Sequence, residues 1–173
     1  MNIVKHAEGI YEVEEFLSKS EQDVFLDCAI GDGWIKSHPG SITKDMDIKS
    51  LFEMQNINTR IEDFFINMDS TTSVNKIRRL TVNESMPTHK DGGDPNDPRY
   101  IVFGIAIYLN DDFSGGELRY PDLDLVVTPK QRSMVVHDAT LRHRVLPVKS
   151  GNRYSITTFI FGDEYTKFNS VLA

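Results

Sequence analysis

The apolar positions of this chain change their period once. Between Glu14 and Ala29 they fall at Phe16, Leu17, Val24, Phe25 and Leu26, which predicts a helix with Ser20 as its candidate N-cap. Between Ile48 and Asn67 they recur at spacings of three and four (Ile48, Leu51, Phe52, Met54, Ile57, Ile61, Phe64, Phe65), a second helical stripe. Gly31, Gly33, Pro39 and Gly40 mark the loop between the two. From about residue 75 the pattern is that of strands. Tyr100 to Leu109 is almost continuously apolar and rich in branched and aromatic side chains, which suits a strand buried on both faces. Asn110-Asp111-Asp112 ends it, and Ser114-Gly115-Gly116 supplies a turn. Short strands are then predicted over Glu117–Tyr120, Leu123–Thr128, Ser133–Val136, His143–Val148 and Arg153–Phe161. Strands of this length and spacing suggest a sandwich or barrel. Helices first and strands afterwards predict an α+β arrangement, with the helices packed on one sheet.

Composition narrows the function classes. The 173 residues suit one domain with a real core, and 39% hydrophobic against 26% charged residues is an ordinary globular balance. No stretch approaches the roughly 18–20 apolar residues of a membrane span. The opening MNIVKHAEGIYEVEEFL lacks the apolar core of a signal peptide, so a cytoplasmic location is expected. The single cysteine, Cys28, excludes an internal disulfide and a cysteine metal cluster. A net charge of −7 argues against affinity built on phosphate contacts, hence against a nucleic-acid partner. The one tight basic cluster, Lys76 with Arg78 and Arg79, reads as a solvated face. Oligomeric state is not legible.

The chemistry-bearing residues begin at Met86-Pro87-Thr88-His89-Lys90-Asp91. On extended backbone His89 and Asp91 point to the same side and offer a nitrogen and a carboxylate oxygen to one point. Such a pair alone is more often a surface loop. His143 lies 54 positions on (143 − 89) and supplies a third candidate ligand. Two histidines and a carboxylate on one face of an octahedral ion leave three adjacent positions open, the facial triad of non-haem Fe(II) oxygenases. A keto acid can take two of these and dioxygen the third. Ten residues beyond His143, alternation puts Arg153, Ser155 and Thr157 on one strand face. A guanidinium beside hydroxyls is a good clamp for a carboxylate, the alternative being a surface salt bridge.

These residues stand in ordered blocks: His89-x-Asp91, Tyr108-Leu109-Asn110-Asp111, Gly115-Gly116-Glu117, His143-Arg144-Val145-Leu146-Pro147-Val148 and Gly151-Asn152-Arg153-Tyr154-Ser155. The series resembles the prolyl 4-hydroxylase-like 2-oxoglutarate oxygenases. Ile10 to Ser18 resembles that family's first strand and helix, so the likeness runs from about residue 10 to 162. It implies a single domain over residues 1–173 with a double-stranded β-helix (jelly-roll) core, about 75–162, braced by N-terminal helices, about 14–67. It implies His89, Asp91 and His143 as iron ligands and catalytic residues. Arg153, Tyr108 and Ser155 (or Thr157) are then the residues that bind 2-oxoglutarate. The cofactors implied are Fe(II), 2-oxoglutarate and O2, with ascorbate as a reductant. The activity implied is hydroxylation of a prolyl residue in a peptide or protein partner, with release of succinate and CO2.

Two departures bear on substrate. Leu80 stands nine residues before the first ligand, where many members have Tyr. Ile101 stands where many have Arg, with Arg99 two residues earlier on the same strand face. Gly92 to Pro98, with two glycines and two prolines, reads either as a lid or as a rigid turn. His137 reads as structural, because neighbouring Asp138 points to the opposite strand face and the two cannot meet one ion. Trp34 reads either as a residue near the substrate mouth or, the favoured reading, as a plug of the helix–sheet interface. The alternatives to prolyl hydroxylation are the same chemistry on a free amino acid, small metabolite or alkylated base, and a non-catalytic metal-binding jelly roll.

Overall fold

A computed structural model describes residues 1–38, 41–72, 74–92 and 100–169. Two strands, β1 (Asn2–Ala7) and β2 (Ile10–Glu14), precede α1 (Lys19–Ala29). A second strand pair, β3 (Ile35–His38) and β4 (Ser41–Asp45), precedes α2 (Ile48–Glu62). Then come β5 (Phe65–Thr71), β6 (Lys76–Leu80), β7 (Met86–His89), β8 (Ile101–Tyr108), β9 (Ser114–Gly115) and β10 (Leu118–Tyr120). The chain finishes with β11 (Leu125–Val127), β12 (Met134–Asp138), β13 (His143–Val145), β14 (Val148–Ser150) and the long β15 (Arg153–Phe168). No described helix is long and apolar enough to cross a membrane.

The described structure is mostly β with two α-helices, and the expectation of a largely helical first third is corrected. Four strands lie there, because segments of four to six residues are too short to show a period against the stronger helical stripes. The first helix is capped by Ser18 rather than Ser20. The Ser18 hydroxyl accepts from the Glu21 N–H at 3.2 Å, and the Glu21 carboxylate accepts from the Ser18 N–H at 2.6 Å. Ser20 also has an acid three residues on, Asp23, but that carboxylate is held by Lys19 of the first turn, and the reciprocal pair forms at Ser18 and Glu21. The second helix is capped by Asp47 and stops at Glu62; Phe64 and Phe65, read as part of its stripe, belong to the turn and β5. The predicted run His143–Val148 is split by Pro147 into β13 and β14.

Nine strands form one sheet in the order β1-β2-β12-β8-β15-β6-β4-β3, with β5 also paired to β15. Four others form a second sheet, β11-β10-β13-β7, and β14 pairs with β9. Alternation along β8 explains its unbroken apolar run. Ile105 and Ile107 join Phe25, Met54, Ile57 and Ile61 of the helices in one buried cluster. Ala106 and Tyr108 join Leu118, Tyr120 and Val145 of the second sheet in another. The large sheet is thus covered on both faces, and the gap between the sheets is where the site residues meet. Trp34 lies against the helix-side core as expected, its ring 5.8 Å from that of Tyr154.

One buried amide fixes the start of β15. The Asn110 side chain donates to the Asn152 carbonyl at 2.7 Å and accepts from the Tyr154 N–H at 2.8 Å. It therefore holds the backbone on both sides of Arg153. Asn110→Ala leaves both backbone groups without that partner and is expected to cost about 1–3 kcal/mol. Urea unfolding should show a lower midpoint at unchanged slope; an unchanged midpoint would remove Asn110 from this role.

Candidate metal centre

His89 ends β7 and lies directly across from His143, the first residue of β13. Their rings are 4.4 Å apart. Two residues after His89, the backbone N–H groups of Asp91 and Gly92 both donate to the Ala139 carbonyl, at 3.2 Å each. This ties the segment to the turn after β12 and brings the Asp91 carboxylate between the imidazoles. Candidate ligand atoms of His89, Asp91 and His143 lie within 4.8 Å of one another.

Hydrogen bonds orient all three groups. Nδ1 of His89 lies 2.8 Å from the Pro87 carbonyl, and Nδ1 of His143 lies 3.1 Å from the Leu141 carbonyl. A carbonyl only accepts, so each Nδ1 carries the proton, and in the neutral rings each Nε2 presents a lone pair. The two Nε2 atoms lie 3.4 and 3.7 Å from the same oxygen, Oδ1 of Asp91. Ligands at about 2.1 Å on adjacent octahedral vertices are separated by about 3 Å, so a small inward adjustment lets one ion bridge all three. Two neutral nitrogens and one carboxylate suit Fe(II), Mn(II) or a similar ion, and the donor set fits the metal that the sequence implies.

The other carboxylate oxygen belongs to the opposite sheet. Oδ2 of Asp91 accepts from Nε2 of His137 at 2.9 Å, and Nδ1 of His137 lies 3.1 Å from the Tyr120 hydroxyl. The direction follows from chemistry: Nε2–H donates to the carboxylate, so Nδ1 accepts from the phenol. Both His137 and Tyr120 are buried. Gly104, directly across from His137 on β8, makes the space. A Cβ there would sit 2.1 Å from Oδ2 of Asp91 and 2.6 Å from Nε2 of His137. His137 does more than fill the core: it holds the carboxylate of a candidate ligand. Only the sheet pairing reveals this, since His137 and Asp91 are 46 residues apart.

Electrostatics follow from this packing. Burial alone would raise the Asp91 pKa, but hydrogen bonds from His137 and His89 outweigh it and hold the carboxyl far below its ordinary value. Burial, with the neighbouring His137, pushes His143 down to about 4. His89 is raised, chiefly by its hydrogen bond to Asp91.

A cavity of about 340 Å³ opens beside the three residues and is lined also by Met86, His137, Arg153, Ser155, Thr157 and Phe159. That volume is within the usual range for a small-molecule site. Arg153 is buried and donates to the Ser155 hydroxyl at 3.0 Å. Its guanidinium lies over the Tyr108 ring, 4.9 Å from the centroid. Tyr108 is packed behind Arg153 and is not among the residues lining the cavity. Nε of Arg153 and the Tyr108 hydroxyl are buried without a hydrogen-bond partner among the described residues. Burial raises the Tyr108 pKa, so the phenol stays a donor. A buried guanidinium on the cavity wall with a hydroxyl beside it fits an incoming carboxylate. Gly116, at φ 68°, makes room for the arginine, since a Cβ there would lie 3.0 Å from Cδ of Arg153.

The basic cluster on β6 is not the solvated face that its composition suggested. Arg78 lines the cavity, and Arg79 lies over the Trp34 ring at 4.4 Å. The lid reading of Gly92–Pro98 and the position of Arg99 fall on residues 93–99, outside the described residues.

Two measurements check this account. Metal must displace the proton from His89, so Mn(II) affinity should rise with pH up to the raised His89 pKa and level off above it. The slope below that pKa should be about tenfold per pH unit, and His143 should add nothing above about pH 5. A pH-independent affinity between pH 5.5 and 8.5 would contradict the shift. Gly104→Ala displaces the Asp91 carboxylate and should weaken Mn(II) binding about 10–100-fold; full affinity in that variant would show the contact to be unimportant.

No family model matches the sequence, and no curated protein matches it. Solved structures do. A viral collagen prolyl hydroxylase from Paramecium bursaria Chlorella virus-1, in complex with 2-oxoglutarate, superposes with a TM-score of 0.68 at 22% identity, covering 90% of this chain and 97% of its own. A Pseudomonas putida prolyl-4-hydroxylase gives 0.67 at 18% identity, covering 90% and 93%. A Trichoplax adhaerens prolyl hydroxylase, in complex with a hypoxia inducible factor oxygen degradation domain peptide fragment, gives 0.71 at 15% identity, covering 89% and 84%. The fold of this chain is therefore the fold of the prolyl hydroxylases, matched over about nine-tenths of its length.

Proposed function

We propose that this chain is an Fe(II)- and 2-oxoglutarate-dependent dioxygenase that hydroxylates prolyl residues in a peptide or protein. The observation that carries the reading is the convergence of both Nε2 lone pairs and Oδ1 of Asp91 on a cavity whose wall also holds Arg153. In this reading the residues form one oxygenase domain, with the two facing sheets as a double-stranded β-helix. Bound Fe(II) would supply the activation of O2, in the balanced reaction of O2, 2-oxoglutarate and R–H to R–OH, succinate and CO2.

The chain's own residues set the geometry for that reaction. His89, Asp91 and His143 hold the metal from one side and leave the cavity side open. Arg153 pairs with the distal carboxylate of 2-oxoglutarate, the Ser155 hydroxyl is a further donor beside it, and Tyr108 backs the guanidinium with its ring. Tyr120 and His137 keep the Asp91 carboxylate in one orientation. Leu118, Val145 and Phe159 line the cavity with apolar surface and exclude water. The prolyl assignment is supported by fold neighbours described as prolyl hydroxylases, one of them holding a peptide. The departures at Leu80 and Ile101 bear on the identity of the substrate more than on the reaction type. A cytoplasmic location and ascorbate as reductant go with this reading.

Alanine at His89, Asp91 or His143 should abolish 2-oxoglutarate turnover and weaken metal binding; tight Mn(II) binding by the triple variant would place the metal elsewhere. Arg153→Ala should raise the 2-oxoglutarate requirement by about 2–5 kcal/mol, at least about thirtyfold, at nearly unchanged metal affinity. Equal loss of both would make Arg153 a support of the fold. The substrate assignment is tested by mass spectrometry of proline peptides and free amino acids, with succinate measured in parallel. Addition of one oxygen to proline, matched by succinate, is the expected result. Succinate formed with free amino acids but with no proline peptide would overturn the prolyl part alone.

A further inference from the structure

A second cavity, of about 580 Å³, has no role in the reading above. Phe103 and Asp138 line it, while their strand neighbours Gly104 and His137 face Asp91. Alternation therefore puts it on the other face of the large sheet from the candidate metal centre. Tyr11, Phe103 and Phe168 give it an aromatic wall, with the Tyr11 and Phe168 rings 4.8 Å apart. Leu123 and Leu141 add apolar surface, and the ion pair of Asp122 with Arg142 joins the segments that carry them. One short turn borders both sites. The Ala139 carbonyl accepts from the Asp91 and Gly92 N–H groups, and the Leu141 carbonyl accepts from Nδ1 of His143. The Leu141 side chain lines the second cavity. A crossing of this turn is on the order of 10 Å, or roughly three residues of extended peptide.

A smaller hollow of about 140 Å³ continues from it, sharing Phe103, Asp138 and Thr166 and adding Asp163 and Glu164. This corner is held in shape. The pairing of β15 with β5 shifts between Gly162 and Lys167, so the chain bulges there. The Asp163 N–H donates to Oγ1 of Thr166 at 3.0 Å, and that hydroxyl donates to the Asn67 carbonyl at 2.6 Å. Charge then decides what fits. Asp138, Asp163 and Glu164 have no cationic partner among the described residues, whereas Glu8 is paired with Lys5. Lys167 is the one cation among the described lining residues, so the lining sums to −2 with Glu8 left out as paired. Aromatic walls beside uncompensated carboxylates suit a cation on an aliphatic stem. The stem packs on the rings, and the charge meets ring faces and carboxylates together.

Resting on the dioxygenase reading, we infer that this groove is a second recognition site for the peptide substrate. It takes a lysine or arginine side chain a few residues from the hydroxylated proline. The proline enters the cavity beside His89, Asp91 and His143, and the peptide crosses the turn at Ala139 to Arg142. The basic side chain then seats against Phe103, with Asp138, Asp163 and Glu164 about its charge. The substrate class is a basic, proline-containing peptide, which the net charge of −7 also favours.

The test is a series of peptides with one proline and one lysine. The lysine is stepped from about three to about six residues away on either side, and each peptide is paired with its norleucine analogue. They are titrated by calorimetry into wild-type, Asp138→Asn, Asp163→Asn/Glu164→Gln and Phe103→Leu protein, loaded with Mn(II) and 2-oxoglutarate. Thermal melts and Mn(II) affinity confirm that each variant is folded with its metal centre intact. Wild type should bind the lysine form about tenfold more tightly than norleucine at one or two spacings. The double variant should bring that ratio to about twofold or less, and Asp138→Asn and Phe103→Leu should each lower it. Equal affinity for lysine and norleucine, or no binding, at every spacing overturns the inference. So does a lysine preference that survives in all three variants. A preference of the same size at every spacing also overturns it, since that is diffuse attraction to an acidic protein. Failure of the dioxygenase reading is seen separately, as no binding of 2-oxoglutarate to Mn(II)-loaded wild-type protein.

Discussion

The Asp91 carboxylate divides its two oxygens between two sheets. Oδ1 faces the imidazoles of β7 and β13, and Oδ2 accepts from His137 on β12 of the large sheet. The hydrogen bond to His137 settles which oxygen faces the ligand cluster. It also settles a wider matter, because the strands that carry the other two candidate ligands belong to a different sheet. The relative position of the sheets is therefore read out at the candidate metal centre as a distance between candidate ligands. A buried carboxylate with one oxygen unsatisfied would relax toward water; a Tyr–His chain behind it removes that option. Gly104 is the counterpart in the backbone, since the bond passes over a position where no other residue fits.

Much of the site was legible in the sequence because its spacing follows directly from strand geometry. His89 and Asp91 on one side of an extended segment, and Arg153 with Ser155 on one strand face, are consequences of a period of two. The blocks around them have physical reasons that the structure makes plain. Asn110 brackets Arg153 through residues 152 and 154, and Gly116 leaves space for the arginine side chain. A pattern that looks like family resemblance is here a set of steric and hydrogen-bonding demands made by one buried guanidinium.

What was not legible depends on contacts between distant segments. The strands β1 to β4 gain their order from pairing with β12 and β6, and nothing within four to six residues announces that. His137 looked structural because its neighbour Asp138 was the only carboxylate near it in sequence, while its partner arrives from another sheet. Lys76, Arg78 and Arg79 read as a surface cluster because charge runs usually are. Alternation sends Arg78 into the cavity and Arg79 to the opposite face, where its guanidinium covers the Trp34 ring. One run of basic residues thus serves two faces of a sheet.

The contrast between the chain and its cavity has a consequence for what approaches it. The molecule carries a net charge of −7, yet the described lining of the cavity sums to +1. Acidic groups such as Glu8, Asp111, Asp112 and Asp124 lie on the exposed surface, where water screens them within about 8–10 Å. The cationic pair lies between low-dielectric walls, where the same charges act more strongly on anything inside. The exterior field therefore repels anions weakly, and the interior field attracts them over the last few ångströms. Such an arrangement discriminates by fit rather than by long-range steering: a small anion that reaches the mouth gains, and an extended polyanion is held off by the surface it must cover.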